Sequence, residues 1–342
     1  MLAILHLGDI HVREGRANPV LARAQRIASA IKTLVAPASE LYLVVAGDIA
    51  FAGKQAEYEV ATAFLAELED ALKNLQLPRY GGAVAVPGNH DCNFDEAGDL
   101  REPAIAGVAA KFSTIEPDGK SAAELLSVQK EFFDFLAPIA APAHLKPALS
   151  WQKNFTGEHN IVFRCLNTAW VSMLKEKAGQ ILYPPQAVPA IDGDTDLVCT
   201  VMHHPYGWLE PNNARTLRRI LETSSDLILT GHEHESESYS KIASDGTVTN
   251  FVEGAALHDP SVRENGFNVI LLDPKTLTYQ VATFFWRNDL YEQQHLTSGI
   301  FTRNHCCPVK SRKESVGWHF RRNWRFGRWP EVRIKSAFSR KA

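Results

Sequence analysis

Residues 83–91, Ala83-Val84-Ala85-Val86-Pro87-Gly88-Asn89-His90-Asp91, set a short apolar run directly against four residues, three of which can bind a cation or carry a proton. The run has the length and composition of a buried strand, and Pro87-Gly88 ends it, so the polar residues are delivered at a strand terminus. The same design recurs on both sides. Residues 3–7 precede Gly8-Asp9-Ile10-His11, residues 41–46 precede Gly47-Asp48, residues 197–202 precede His203-His204-Pro205, and residues 226–230 precede Gly231-His232-Glu233-His234. Taken alone each cluster is weak, since Gly-Asp is commonly a turn. Five such clusters, each following an apolar run, make a pattern.

These runs, with residues 161–166, are near-continuously apolar, as strands covered on both faces must be. Between the first of them lie amphipathic stretches. Asn18-Pro19 predicts a helix start, with Leu21, Ala24, Ile27, Ala28, Ile31 and Leu34 on one face. A second helix is predicted from about residue 55 to 75, with Tyr58, Ala61, Leu65, Leu68, Leu72 and Leu75 at helical spacing, stopping before Pro78. Helices between successive strands act as crossovers and predict parallel pairing. The expected fold is α/β, with central sheet structure flanked by helices and all five clusters at the carboxyl edge of one sheet. Residues 95–158, mixed in Ala, Pro and Glu with a helix near 123–136, are expected to form a helical cap over the site. Later strands are predicted at 247–252, 267–272 and 279–285, separated by turns at Asp245-Gly246 and Asp273-Pro274. A main domain over 1–290 and an extension over 291–342 follow.

The composition, 45% hydrophobic and 22% charged in 342 residues, excludes wholesale disorder. No apolar run reaches the roughly 18 residues of a membrane span. The first nine residues lack a signal peptide's basic leader and apolar core. Five cysteines without a spaced framework suit a reducing compartment, so a cytoplasmic protein with free thiols is expected. Charge is uneven: residues 310–342 hold 11 Lys/Arg against 2 Asp/Glu, leaving 25 against 37 elsewhere. In this segment Trp318, Phe320, Trp324, Phe326 and Trp329 alternate with Arg321, Arg322, Arg325 and Arg328. Arginine beside aromatic rings suits nucleic acid, an anionic membrane surface or a protein partner, and equally an arm docked on the chain's own acidic body.

Imidazole with carboxylate suits Mn, Fe, Co, Ni or Zn, whereas an all-oxygen set would have indicated Mg or Ca. Two such ions about 3.5–4 Å apart suit hydrolysis at phosphorus. The ordered set of clusters resembles the calcineurin-like metallophosphoesterase family, whose pattern is D-x-H, G-D, G-N-H-D or G-N-H-E, a strand-terminal His, and G-H-x-H. The resemblance implies a four-layer-type fold, central β-sheets flanked by helices with a helical cap insertion and a basic C-terminal tail, and two divalent ions, with Mn expected first. It places Asp9, His11 and His234 on one, Asn89, His203 and His232 on the other, and Asp48 between them. His90 would face the substrate as electrostatic partner or proton donor, with Asp91 orienting its ring. His204 remains an alternative to His203, because successive strand residues point to opposite sides.

Tyr206-Gly207-Trp208 either lines the pocket or packs beneath the loop, Arg215 and Arg218 read as a solvated helix face, and His6 as a satisfied core histidine. The reaction expected is attack of a metal-bound hydroxide on a phosphodiester, nucleic acid or nucleotide. The alternatives are a small-molecule cyclic nucleotide phosphodiesterase or phosphomonoesterase, and a non-catalytic metal-binding scaffold. Asp91 ending its tetrad, and no Asp-Arg-Gly after Gly47-Asp48, depart from the Ser/Thr protein phosphatase branch; the opening motifs are similar to those of bacterial phosphodiesterases and Mre11-like nucleases.

Overall fold

The computed structural model describes residues 1–304 apart from 16–17, 111, 113–114, 140–145 and 192. Cys306-Cys307 and the basic aromatic segment lie outside the described residues. The strands in chain order are β1 (Leu2–Leu7), β2 (Glu40–Val45), β3 (Arg79–Ala85), β4 (Ser150–Thr156), β5 (Asn160–Leu166), β6 (Leu197–Met202), β7 (Leu227–Thr230), β8 (Ser238–Ile242), β9 (Val248–Glu253), β10 (Gly266–Asp273), β11 (Thr278–Arg287) and β12 (Leu290–Ile300). Among the described residues they form two six-stranded sheets, in the orders β12-β11-β10-β1-β2-β3 and β4-β5-β6-β7-β9-β8.

The near-continuous apolar runs are explained by this stacking. Every residue of β1, β2, β6 and β7 is buried. In the second sheet, alternate residues serve different layers, as a two-residue side-chain period requires. Phe163, Cys165, Cys199, Val201, Leu227 and Leu229 join the core of the first sheet, whereas Leu166, Met202 and Ile228 pack outward with Trp170, Leu217 and Leu221. The rings of Tyr42 and Phe163, one from each sheet, lie 5.7 Å apart. The central β-sheets that the family resemblance implies are thus two, face to face, with helices outside both, and only the expectation of one shared sheet edge for all five clusters fails.

Helices α1 (Ala24–Val35) and α2 (Gln55–Lys73) make the two crossovers, and β1-β2 and β2-β3 are parallel as expected. Asn18 does cap a helical turn, accepting from the Val20 N–H. That turn is a 3₁₀ segment, Pro19–Ala22, and α1 begins only after Arg23 leaves helical geometry.

Residues 95–158 hold α3 (Arg101–Ala110), α4 (Lys120–Leu126), α5 (Lys130–Ile139) and β4. The helix expected at 123–136 is divided between α4 and α5 by a 3₁₀ turn at Ser127–Gln129. Contrary to the cap expectation, α5 covers the first sheet: Phe132, Phe133, Phe135 and Leu136 are buried in the main core, and Phe135 stacks on Tyr58 of α2. β4 extends the second sheet, and α3 and α4 pack on its outer face with Trp170 and Tyr183. The expected boundary at residue 290 falls at the first residue of β12, so residues 291–300 belong with the first sheet. β4, β8 and β12 were not legible because edge strands keep polar faces: β12 is largely exposed and reads as no apolar run.

Completing the helical layers, α6 (Pro211–Glu222) lies against the outer face of the second sheet through Leu217 and Leu221. Because α5 is core rather than cap, Phe132→Ala should lower unfolding free energy by about 3–5 kcal/mol in urea denaturation. A loss under about 1 kcal/mol would return α5 to the periphery.

Candidate metal centre

Asp9 and His11 follow β1, Asp48 follows β2, Asn89 and His90 follow β3, His203 follows β6, and His232 and His234 follow β7. The five loops therefore come from the carboxyl ends of strands in both sheets, not from one edge. Their backbone is unusual. Asp9 (φ 54°), His11 (52°), Asp48 (53°), His232 (77°) and His234 (61°) all occupy the left-handed region and make up five of the nine non-glycine residues with positive φ among the described residues. Each such residue costs on the order of 1–3 kcal/mol and persists only where its surroundings impose it. Two glycines permit the close packing: a Cβ at Gly88 would collide with the Asp48 carboxylate, and one at Gly47 with the His203 ring.

The histidines share one design. His203 Nδ1 donates to the Ala46 carbonyl (2.7 Å), a group that can only accept, so in the neutral ring Nε2 carries the lone pair. That Nε2 lies 3.4 Å from Asp48 Oδ2, 3.2 Å from Asn89 Oδ1 and 3.1 Å from His232 Nδ1. His234 gives Nδ1 to Asp259 Oδ2 (2.7 Å) and turns Nε2 to within 3.2 Å of Asp9 Oδ1. His11 gives Nδ1 to the His258 carbonyl (3.3 Å) and holds Nε2 3.4 Å from Asp48 Oδ2. Asp9 Oδ1 is buried and makes no well-formed hydrogen bond despite that approach.

This donor set fits divalent cations. A metal bonded to nitrogen and oxygen at about 2.0–2.2 Å holds neighbouring ligand atoms about 3 Å apart, close to the 3.1–3.4 Å separations found here. Asp9 with His11 and His234, and His203 with His204 and His232, fall into clusters able to hold an ion, and Asp48 belongs to two further clusters, one with His11 and His90, the other with Asp9 and His203.

The carboxylates and imidazoles of the centre shift one another's pKa. Burial alone would lower the pKa of His203, yet Asp48, Asp9 and the Ala46 carbonyl raise it to about 10. Burial is likewise outweighed at His234, which Asp9 and Asp259 raise to about 9. Asp48 is held well below the carboxylate range, burial being overcome by His203, His11 and His90. His232 moves the other way: burial, then His204 and His203, lower it, so its ring is neutral.

A family model for calcineurin-like phosphoesterases matches residues 2–236. The chain belongs to that family. Among solved structures, the calcineurin-like fold here is similar to Vps29 from Cryptosporidium parvum, at 14% identity over 87% of this chain and 97% of that one, TM-score 0.37. Vps29 from Chaetomium thermophilum is 11% identical over 89% and 100%, TM-score 0.36. The calcineurin-like phosphoesterase YfkN from Bacillus subtilis is 13% identical over 88% and 90%, TM-score 0.35. No curated protein matches the chain.

Within this phosphoesterase-family centre, two roles differ from the sequence expectation. Asp91 does not orient His90: its carboxylate accepts from the N–H groups of Gly88, Ile49 and Ala50 and from the Tyr58 hydroxyl, tying the second and third loops together. His90 is oriented instead by the Phe51 carbonyl, to which Nδ1 donates (2.7 Å). His204 lies close to His203 and His232, but Glu176 and Thr168 engage its two ring nitrogens at 3.0 and 2.9 Å. His6 is fully buried, and burial lowers its pKa to about 4; neither ring nitrogen makes a well-formed hydrogen bond, so it is not the satisfied residue expected.

Trp208 sets its ring against His232 at 4.0 Å, whereas Tyr206 packs beneath the loop on Phe251. Arg218 is half-exposed and pairs with Glu222, the solvated face expected. Asp259, the His258 carbonyl, Glu176, Arg13 and Phe51 were missed. The signal for the first two, polar His258-Asp259 after apolar residues 255–257, lacked a strand of its own to mark it.

Because protons and cations compete for Nε2 of His203 and His234, metal affinity should rise with pH across the neutral range, with protons released on binding. Calorimetry in buffers of different ionisation enthalpy reads that release; none would place the ions elsewhere. Asp259→Ala should weaken metal binding by roughly 10–100-fold through loss of the His234 orientation, measured by metal titration of the purified chain.

Proposed function

We propose that this chain hydrolyses phosphodiesters at a pair of divalent cations, one held by Asp9, His11 and His234, the other by Asn89, His203 and His232, with Asp48 shared. The observation that supports this reading most is Asp48 itself. It is 1% exposed, and its Oδ2 stands 3.4 Å from Nε2 of both His11 and His203, one from each proposed ligand set. When bound, the cations polarise the phosphoryl oxygens and acidify a water for in-line attack.

The remaining work falls to the chain. His90 borders the cleft with its ring 4.9 Å from that of His11. With Nδ1 fixed on Phe51, its Nε2 is the nitrogen available to give a proton to the departing oxygen. The Asp91 carboxylate, through its backbone contacts, holds the Asp48 and Asn89 loops in register. The diester preference rests on Asp91 in place of the glutamate alternative and on the missing Asp-Arg-Gly. A second reading, a small cyclic nucleotide or monoester, is supported by the cleft volume of about 420 Å³, at the scale of a nucleotide site.

Hydrolysis of single- and double-stranded DNA, RNA, cyclic nucleotides, dinucleotides and p-nitrophenyl mono- and diesters, with Mn²⁺ and with EDTA, separates these readings. Turnover of diesters that EDTA abolishes is expected. Asp48→Asn should abolish it, and retained turnover would sink the shared-carboxylate mechanism. His90→Ala should keep its metal content and lose roughly 10²–10⁴-fold in kcat; lost metal would make His90 a ligand. If residues 310–342 serve a polymer substrate, deleting them should reduce cleavage of nucleic acid while sparing bis-p-nitrophenyl phosphate.

A further inference from the structure

The cleft beside the centre carries an arginine that nothing above employs. Arg13 follows His11 by two residues, borders the cleft, and lays its guanidinium 3.3 Å from the centroid of the Phe51 ring. Among the described residues it makes no hydrogen bond and no ion pair. The stack occupies one face of the guanidinium and leaves its edge of N–H donors free, a fork that matches a phosphate. Phe51 is well placed to seat it, since the same residue orients His90 and its ring lies 5.0 Å from the His90 ring. The arginine therefore stands one ring beyond the histidine proposed to face the leaving oxygen.

Charge is divided across the centre. Beyond His232, Trp208 is hydrogen-bonded to Glu233, and Glu253, itself half-buried, has Glu237 and Glu233 close enough to repel its charge. On the opposite side, His258 feels the positive charges of Arg23 and Arg13. Arg23 is already stacked on Trp286 at 3.6 Å. Of the acids on this side, Asp259 is engaged with His234 and the Ser261 N–H, and Glu14 follows Arg13 in an exposed turn. A substrate carrying a second phosphate is repelled at the acidic end and accommodated at the basic one.

We infer that Arg13, seated on Phe51, forms a subsite for a second phosphate on the Asp9–His11 side of the centre, so that the preferred substrate is a phosphodiester flanked by another phosphate, as in a 5′-phosphorylated oligonucleotide. This deepens the phosphodiesterase reading and rests on it for its substrate class. The subsite adds a charge-assisted contact that a diester lacking the neighbouring phosphate does not make.

The test compares 5′-phosphorylated and unphosphorylated thymidine dinucleotides with the full chain and its Arg13→Gln variant. With Mn²⁺, the wild-type kcat/KM should favour the phosphorylated dinucleotide, and the variant should lower that preference ratio by roughly 10–100-fold, the size of a charged hydrogen bond. A ratio unchanged by the substitution, even with both activities reduced, overturns the subsite. Equilibrium binding of the same two dinucleotides in EDTA is read in parallel. A preference for the phosphorylated one that vanishes in Arg13→Gln supports the subsite even if nothing is hydrolysed, in which case the phosphodiesterase reading alone fails. No preference in binding or turnover overturns the subsite even in an active enzyme.

Discussion

A carboxylate buried between histidines of two sheets is the constraint around which this structure is arranged. Asp48 is almost inaccessible to water, and an ionised carboxylate in such a place is costly unless cations compensate it. Two imidazoles, His203 and His11, face it at hydrogen-bonding distance, and the His90 backbone N–H donates to it. The raised pKa of His203 and His234 is the protein's own expression of that demand for positive charge. Divalent ions, held there as proposed, would meet the same demand with stronger bonds and would free the imidazole nitrogens of their protons.

Holding such a centre together costs conformational energy, and its source is visible in the backbone. Five proposed ligands adopt left-handed φ, each against its local preference, while Gly47 and Gly88 keep space clear for the His203 ring and the Asp48 carboxylate. Strain of this kind is sustained by the cores beneath the loops. Asp91 contributes by collecting three backbone N–H groups and one hydroxyl around a single buried carboxylate. Its position beside His90 in sequence suggested a partner for that ring, but consecutive residues of a tight turn diverge, and the two side chains perform separate tasks.

The stacking of two sheets gives the centre its two sides. Loops of the first sheet bring Asp9, His11, Asp48, Asn89 and His90, and loops of the second bring His203, His232 and His234. Their surroundings differ in sign as well, with glutamates gathered beyond His232 and arginines beyond His11.

The sequence by itself determined the strand-end clusters, the α/β class and the candidate ligands, because buried strands leave unbroken apolar runs and their termini must be polar where a cation is held. Only the tertiary structure decided which strands fall in which of the two stacked sheets, that α5 is core rather than cap, and that Asp259, the His258 carbonyl and Phe51 orient three of the histidines. The reason is physical: apolar periodicity reports that a residue is buried, but not which layer buries it. Partners that meet across 25 to 247 residues of chain, as His234 meets Asp259 and His11 meets His258, leave no local pattern to read.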